Sequence, residues 1–221
     1  MQSAANGMQA KAVLFDFDGT LADTAADLGR AVNRMRKKRG LAELPIEKVR
    51  PMASSGARGL LQAGFGMLPD HPDFNPMREE FLDNYEAAVC VDTRLFPGMP
   101  ELLAALEAKA IAWGIVTNKS SRFTHKLVAA LGLTERVACV VCGDSTPHLK
   151  PNPASLLHAA RELALEPRDC IYLGDDLRDI QAARYAGMRS VAVAWGYGGN
   201  LHTWQADVII AQPPELLAHL H

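Results

Sequence analysis

The chain has 221 residues, 48% of them hydrophobic and 22% charged, a balance that excludes disordered and fibrous classes and suits one α/β body with a smaller insert. Its net charge of −2 offers no broad attraction for polyanions, so neither nucleic acid nor an anionic membrane surface is expected as a partner. No window supplies the ~20 continuous apolar residues of a membrane span, and residues 1–11 lack the apolar core of a signal peptide. A cytoplasmic protein is expected.

The first predicted strand is Ala12-Val13-Leu14-Phe15, an apolar run that stops at the polar Asp16-Phe17-Asp18-Gly19. From about Ala22 to Arg94 the pattern turns helical, at 27–39, 46–54, 58–65 and 77–89, without a convincing strand. Pro, Gly and Asp cluster at 66–76 and mark a loop within this helical insert. Arg34, Arg36, Lys37, Lys38 and Arg39 end its first helix before Gly40. Cations there oppose the negative end of the helix dipole, so the run reads as a solvated helix end and not as a polyanion site.

Phe96-Pro97-Gly98-Met99-Pro100 marks the return to the sheet. Strands are then predicted at 111–116, ending in Thr117-Asn118; at 137–142, ending in Gly143-Asp144; and at 170–173, ending in Gly174-Asp175-Asp176. Two more follow at 190–194 and 208–210. Helical periods at 101–110, 122–131, 154–164 and 177–186 alternate with them. Such alternation implies a doubly wound parallel sheet, α/β in class, and such sheets bind ligands at the carboxyl ends of their strands. Four of those ends, the first strand's included, carry Asp or Thr-Asn.

Cys90, Cys139, Cys142 and Cys170 are scattered and read as reduced thiols. The CxxC pair Cys139 and Cys142 falls in a β-branched run with no second ligand pair, which favours core packing over zinc. None of the seven histidines pairs at metal-ligand spacing, and His219 and His221 lie at the chain terminus.

Asp16 and Asp18 in Asp-x-Asp order at a strand end suit a metal site, a nucleophile with an acid/base partner, or a polar turn. Thr117-Asn118 by itself is a good helix N-cap, and Lys150 by itself an ordinary surface lysine. Taken in order, however, Asp16-Phe17-Asp18-Gly19-Thr20-Leu21, Thr117-Asn118, Lys150-Pro151 and Gly174-Asp175-Asp176-Leu177-Arg178-Asp179 resemble the four motifs of the haloacid dehalogenase superfamily of phosphatases. The resemblance runs from Lys11 onward. It implies a Rossmann-like core of residues 8–21 and 95–221, with 22–94 as a small α-helical cap domain.

The resemblance also implies roles. Asp16 would attack phosphorus in line and form an acyl phosphate. Mg²⁺ and Lys150 would screen the repulsion between a carboxylate and a dianionic ester, the metal taking oxygens from Asp16, Asp175 and the backbone carbonyl of Asp18. Asp18 would protonate the leaving alkoxide and later deprotonate the hydrolytic water; dehalogenase members lack this second aspartate. Thr117 and Asn118, read as a strand end and a helix start, would face the phosphate. Asp179, four residues after Asp175, would orient Lys150 or metal-bound waters. Asp176 departs from the usual Ser or Thr and has no assigned role. Arg58, after Ser54-Ser55-Gly56-Ala57, would reach the substrate's carboxylate or phosphate as the cap closes.

Within the family the chain looks like a phosphoglycolate phosphatase. N-acetylmuramic acid 6-phosphate and other sugar-phosphate phosphatases are similar alternatives, as is a phosphomutase of the β-phosphoglucomutase kind. A phospho-acceptor regulatory domain is the alternative from another class, but such domains lack both Asp18 and a helical insert. The expected partner is a small phosphorylated metabolite, and the chain would act as a monomer or homodimer.

Overall fold

In the computed structural model, which describes residues 10–220, the strands in chain order are β1 Ala12–Phe15, β2 Ala22–Asp23, β3 Arg94–Leu95, β4 Ala112–Val116, β5 Cys139–Val141, β6 Cys170–Gly174, β7 Arg189–Val193 and β8 Val208–Ile210. The helices are α1 Ala25–Lys38, α2 Ile46–Ala53, α3 Gly56–Phe65, α4 Phe74–Glu86, α5 Met99–Ala108, α6 Ser121–Ala130, α7 Ala154–Glu162 and α8 Leu177–Ala186. Residues 1–9, which hold most of the segment read for a leader and the expected start of the core, lie outside the described residues, as does His221. No helix among the described residues is long and apolar enough to cross a membrane.

Six strands form one parallel sheet in the order β5-β4-β1-β6-β7-β8. The central strands bury both faces, which explains why they read as unbroken apolar runs. Along β1 and β6, Val13, Phe15, Ile171 and Leu173 join Leu102, Leu106 and Leu127 of α5 and α6 on one face. The intervening Ala12, Leu14, Cys170 and Tyr172 join Leu156, Ala159 and Ala183 of α7 and α8 on the other. This is the two-residue period of a strand. Cys139 and Cys142 are buried free thiols, and Cys142 lies just beyond β5. Burial pushes the Cys139 thiol up to about 12, which suits packing and not metal binding.

Helices α1 to α4 pack on one another through Leu28, Val32, Met35, Val49, Ala53, Leu60, Leu61 and Phe81. At eight residues α2 is too short to persist alone, so this packing is what stabilises it. Three cations at the basic end of α1 are engaged locally: Lys38 and Arg39 pair with Glu80 of α4 at 3.3 and 2.6 Å, and Arg36 donates to main-chain carbonyls of Ala42 and Gly64.

Three local expectations need correction. The loop expected through Pro76 ends sooner, because α4 starts at Phe74; Pro76 falls in the first turn, where a missing N–H forfeits no intrahelical bond. The return segment around Gly98 opens α5 directly. The insert, read as strandless, is bounded by a two-stranded antiparallel ribbon pairing Ala22 with Leu95 and Asp23 with Arg94. Two residues are too few to show a strand period.

Asp27 locks this ribbon to α1. Its buried carboxylate accepts the main-chain N–H groups of Val91, Asp92 and Thr93 and the Thr93 hydroxyl at 2.7 Å, and it pairs with Arg30. Burial raises the carboxyl, but the Thr93 and Asp92 donors and Arg30 outweigh it and leave it below its ordinary value. A carboxyl depressed in the fold contributes stability above its unfolded pKa of about 4, and that contribution disappears as pH falls through the folded value. Asp27→Asn is expected to lower unfolding free energy by about 2 kcal/mol at neutral pH, read by urea denaturation. The deficit should narrow in acid; one that stayed constant would show that the charge is not the source.

Candidate active site

The sheet register brings the motifs together. Phe15 aligns with Ile115 on one side and Leu173 on the other, so Asp16, Thr117 and Asp175 emerge within two residues of one level at the ends of β1, β4 and β6. Asp16 continues the ladder with its N–H on the Leu173 carbonyl at 2.9 Å.

Lys150 reaches this point from the loop before α7. Its buried ammonium lies 2.9 Å from Asp16 Oδ1 and 2.7 Å from Asp179 Oδ1. It donates to the Tyr172 hydroxyl at 2.6 Å, and that hydroxyl donates in turn to the Val116 carbonyl at 2.7 Å. Burial works against the ammonium, but the charges of Asp16 and Asp179 outweigh it, so its pKa is raised. Asn118 fixes the lysine's backbone, donating to the Lys150 carbonyl at 3.1 Å and accepting its N–H at 2.9 Å. Asn118 therefore does not start a helix. That helix, α6, begins three residues later at Ser121, behind Ser120, and the Thr117 hydroxyl accepts the Lys119 N–H at 3.2 Å within the intervening turn.

Asp175 is buried and held on every side. Thr20 Oγ1 donates to Oδ1 at 3.0 Å, the Tyr197 N–H to Oδ2 at 2.8 Å, and Ser54 Oγ reaches Oδ2 at 3.4 Å. Gly19, at φ +82°, and Gly196 both press against it, so that a Cβ at either would collide with the Asp175 side chain. Asp179 plays two parts: it pairs with Lys150, and its Oδ2 accepts the Asp176 N–H at 3.1 Å. Asp176 acquires its role here. It caps α8 by accepting the Arg178 N–H at 2.9 Å and pairs with the Arg178 side chain at 2.8 Å, and Arg178 then donates to the Ser54 carbonyl at 2.9 Å.

Asp18 faces away from this cluster. Both of its oxygens accept from Lys119 Nζ at 2.9 Å, and Thr24 Oγ1 donates to Oδ1. The Lys119 side chain is 9% exposed. Burial opposes its charge, but Asp18 outweighs that and holds the ammonium protonated well above its usual range. Its Nζ sits 4.8 Å from the ring centroid of Tyr85. A cavity of about 370 Å³ opens onto Asp16, Asp18, Lys119, Lys150 and Asp179, walled by Ser54, Arg58, Phe81, Tyr85, Phe123 and Leu149. Arg58 is exposed at this wall, with no ion pair among the described residues.

Sequence reasoning missed four contributors. Lys119 follows Thr117-Asn118 directly but carries no motif of its own. Tyr172 is a lone hydroxyl within an apolar strand, the signal that could have found it. Gly196 and Tyr197 belong to Trp195-Gly196-Tyr197-Gly198-Gly199, a glycine-rich turn after a fourth strand end.

The donor set suits a divalent cation. Asp16, Asp175 and Asp179 each offer an oxygen within 4.8 Å of the others. Burial first, then the charges of Asp16 and Asp179, push the Asp175 carboxyl well up, as befits a cluster with more negative charge than Lys150 alone balances. Asp16 Oδ1 is buried and makes no hydrogen bond among the described residues, although Lys150 Nζ lies 2.9 Å from it. The Asp18 carboxylate, tied to Lys119, is not in this cluster, which leaves only its main-chain carbonyl for the metal role expected of it.

A model of the haloacid dehalogenase-like hydrolases matches residues 13–193. An N-acetylmuramic acid 6-phosphate phosphatase of Pseudomonas aeruginosa is 44% identical over 213 residues, covering 95% of this chain and 94% of that one. A phosphoglycolate phosphatase of Xanthomonas campestris is 42% identical over 209 residues, covering 93% and 94%. Among solved structures, one described as a predicted phosphoglycolate phosphatase from Haemophilus somnus superposes with a TM-score of 0.84 at 27% identity, covering 96% of this chain and 98% of that one.

The glycine packing around Asp175 yields a test. Gly196→Ala should displace the Asp175 carboxylate, lowering stability by about 2 kcal/mol and kcat by about 100-fold, read by thermal denaturation and phosphate release. Wild-type turnover would refute close packing as the device that places Asp175.

Proposed function

The chain belongs to the haloacid dehalogenase-like hydrolase family and is a phosphatase, and on that premise we propose that it hydrolyses a small phosphorylated metabolite through a phosphoaspartate on Asp16. The observation that carries this reading is the carboxylate cluster of Asp16, Asp175 and Asp179 around Lys150 at adjoining strand ends.

Asp16 is the nucleophile, oriented by the β1 ladder and by the neighbouring Lys150 ammonium. Its carboxylate attacks phosphorus as the ester oxygen leaves with the bonding pair, and water later cleaves the acyl phosphate, releasing inorganic phosphate and restoring Asp16. Asp18 gives a proton to the departing oxygen and takes one from that water. Thr117 and Lys150 bind the phosphoryl oxygens, with Asn118 holding the Lys150 backbone in place. Mg²⁺ held by Asp16, Asp175 and the Asp18 main-chain carbonyl, with Asp179 adjacent, would supply charge neutralisation for the dianionic ester. Residues 22–94 act as the cap that excludes water, tied to the core through Arg178 and Ser54.

For the substrate, a cavity of about 370 Å³ lies in the size range that holds sugar-sized ligands, which favours N-acetylmuramic acid 6-phosphate. The second reading, 2-phosphoglycolate, rests on the relatives that carry that name. Both esters bear a carboxylate, and Arg58 is the cation placed to meet it.

Phosphate release from N-acetylmuramic acid 6-phosphate, 2-phosphoglycolate and common sugar phosphates, with and without Mg²⁺, tests the assignment. Turnover should require the metal, and Asp16→Asn should abolish it; wild-type turnover by that variant would end the covalent mechanism. Arg58→Ala should lower kcat/KM about tenfold for the carboxylate esters and leave a neutral sugar phosphate unaffected. An equal effect on both would reject a substrate role for Arg58.

A further inference from the structure

The wall of the cavity contains a polar atom without a hydrogen-bond partner among the described residues. Tyr85, at the end of α4, is 1% exposed, and its buried hydroxyl has no hydrogen-bond partner. Buried hydroxyls are costly to leave unpaired, so an unpaired one in a cavity wall points to a ligand as its partner. Two further side-chain atoms share this condition among the described residues: Asp16 Oδ1 in the same cavity, and Ser155 Oγ of α7, which is not part of that wall.

The ring of Tyr85 is fixed. It stacks on Phe81 with centroids 6.3 Å apart and planes 9° from parallel, and meets Phe123 of α6 at 5.3 Å. Lys119 Nζ lies 4.8 Å from the ring centroid and beside the hydroxyl, but makes no hydrogen bond to it and donates to both oxygens of Asp18. Asp18 serves the leaving oxygen in the mechanism proposed above, so Tyr85, on the far side of Lys119, borders the space of the alcohol portion and not that of the phosphoryl group.

We infer that Tyr85 is a specificity residue whose hydroxyl donates a hydrogen bond to an oxygen of the alcohol portion of the phosphomonoester. The substrate class is thereby narrowed to esters of hydroxylated or carboxylated alcohols, and plain alkyl phosphates are disfavoured. The inference rests on the phosphomonoester reading of the same cavity.

Tyr85→Phe removes the hydroxyl alone and leaves the aromatic packing in place. The variant should melt at or above the wild-type temperature without substrate, because it deletes an unpaired polar group. Its kcat/KM should fall about fivefold to tenfold for whichever of N-acetylmuramic acid 6-phosphate and 2-phosphoglycolate the wild type hydrolyses better, and stay within about twofold for ethyl phosphate. No fall for the oxygenated ester, or an equal fall for both, would overturn the inference. A lower melting temperature would also overturn it, by showing that the hydroxyl already has a partner in the free protein. Asp16→Asn, assayed beside it, separates the two readings. Turnover retained by Asp16→Asn defeats the phosphoaspartate mechanism, whereas its loss together with an unchanged ester preference in Tyr85→Phe defeats only the role of Tyr85.

Discussion

Three carboxylates share the volume around the Lys150 ammonium, and the architecture of the site follows from keeping them together. Asp16, Asp175 and Asp179 each place an oxygen within 4.8 Å of the others, where each like-charge pair repels by on the order of 3 to 4 kcal/mol at an effective dielectric of about 20. One lysine does not neutralise this charge. Its ion pairs with Asp16 and Asp179, the Tyr172 and Val116 oxygens behind it, and the donors on Asp175 hold the cluster in a form that favours added positive charge.

Backbone positions the cluster more than side chains do. Parallel register between β4, β1 and β6 carries three polar strand ends to one level, and the glycines at 19 and 196 let loop backbone close around Asp175. A side chain at either position would push the carboxylate out of place. The same logic explains Asn118, which spends its amide on the Lys150 backbone and so fixes the lysine at its root.

The helical insert is tied to the core by polar contacts at distinct depths. Within the insert, Asp27 gathers the N–H groups of Val91, Asp92 and Thr93; across to the core, Arg178 links the Asp176 cap of α8 to Ser54, and Lys119 joins Asp18 to the ring of Tyr85. Through the last two, Asp176 and Asp18 share charged groups with the insert, so the packing of the insert and the arrangement of these two carboxylates are physically coupled. The apolar contacts of Tyr85 with Phe123 add a surface across which the two parts pack.

The amino-acid sequence by itself determined the alternating strands and helices, the placement of the helical insert, and the identity of Asp16, Asp18, Thr117, Lys150 and Asp175 as candidates. These are properties of local period and of short motifs at strand ends, legible without knowing which segments touch. Only the tertiary structure decided what depends on contacts between distant segments. Asp179 joined the carboxylate cluster while Asp18 turned to Lys119, Asp176 proved to be a helix cap, and Tyr172, Gly196 and Tyr197 entered the site from positions without a motif. A two-residue ribbon and a helix start shifted to Ser121 were also beyond periodicity, since neither spans enough residues to show one. Hydrogen-bond partners more than a hundred positions apart, such as Lys119 and Asp18 or Thr20 and Asp175, leave no local trace in the chain, because folding alone brings them within reach.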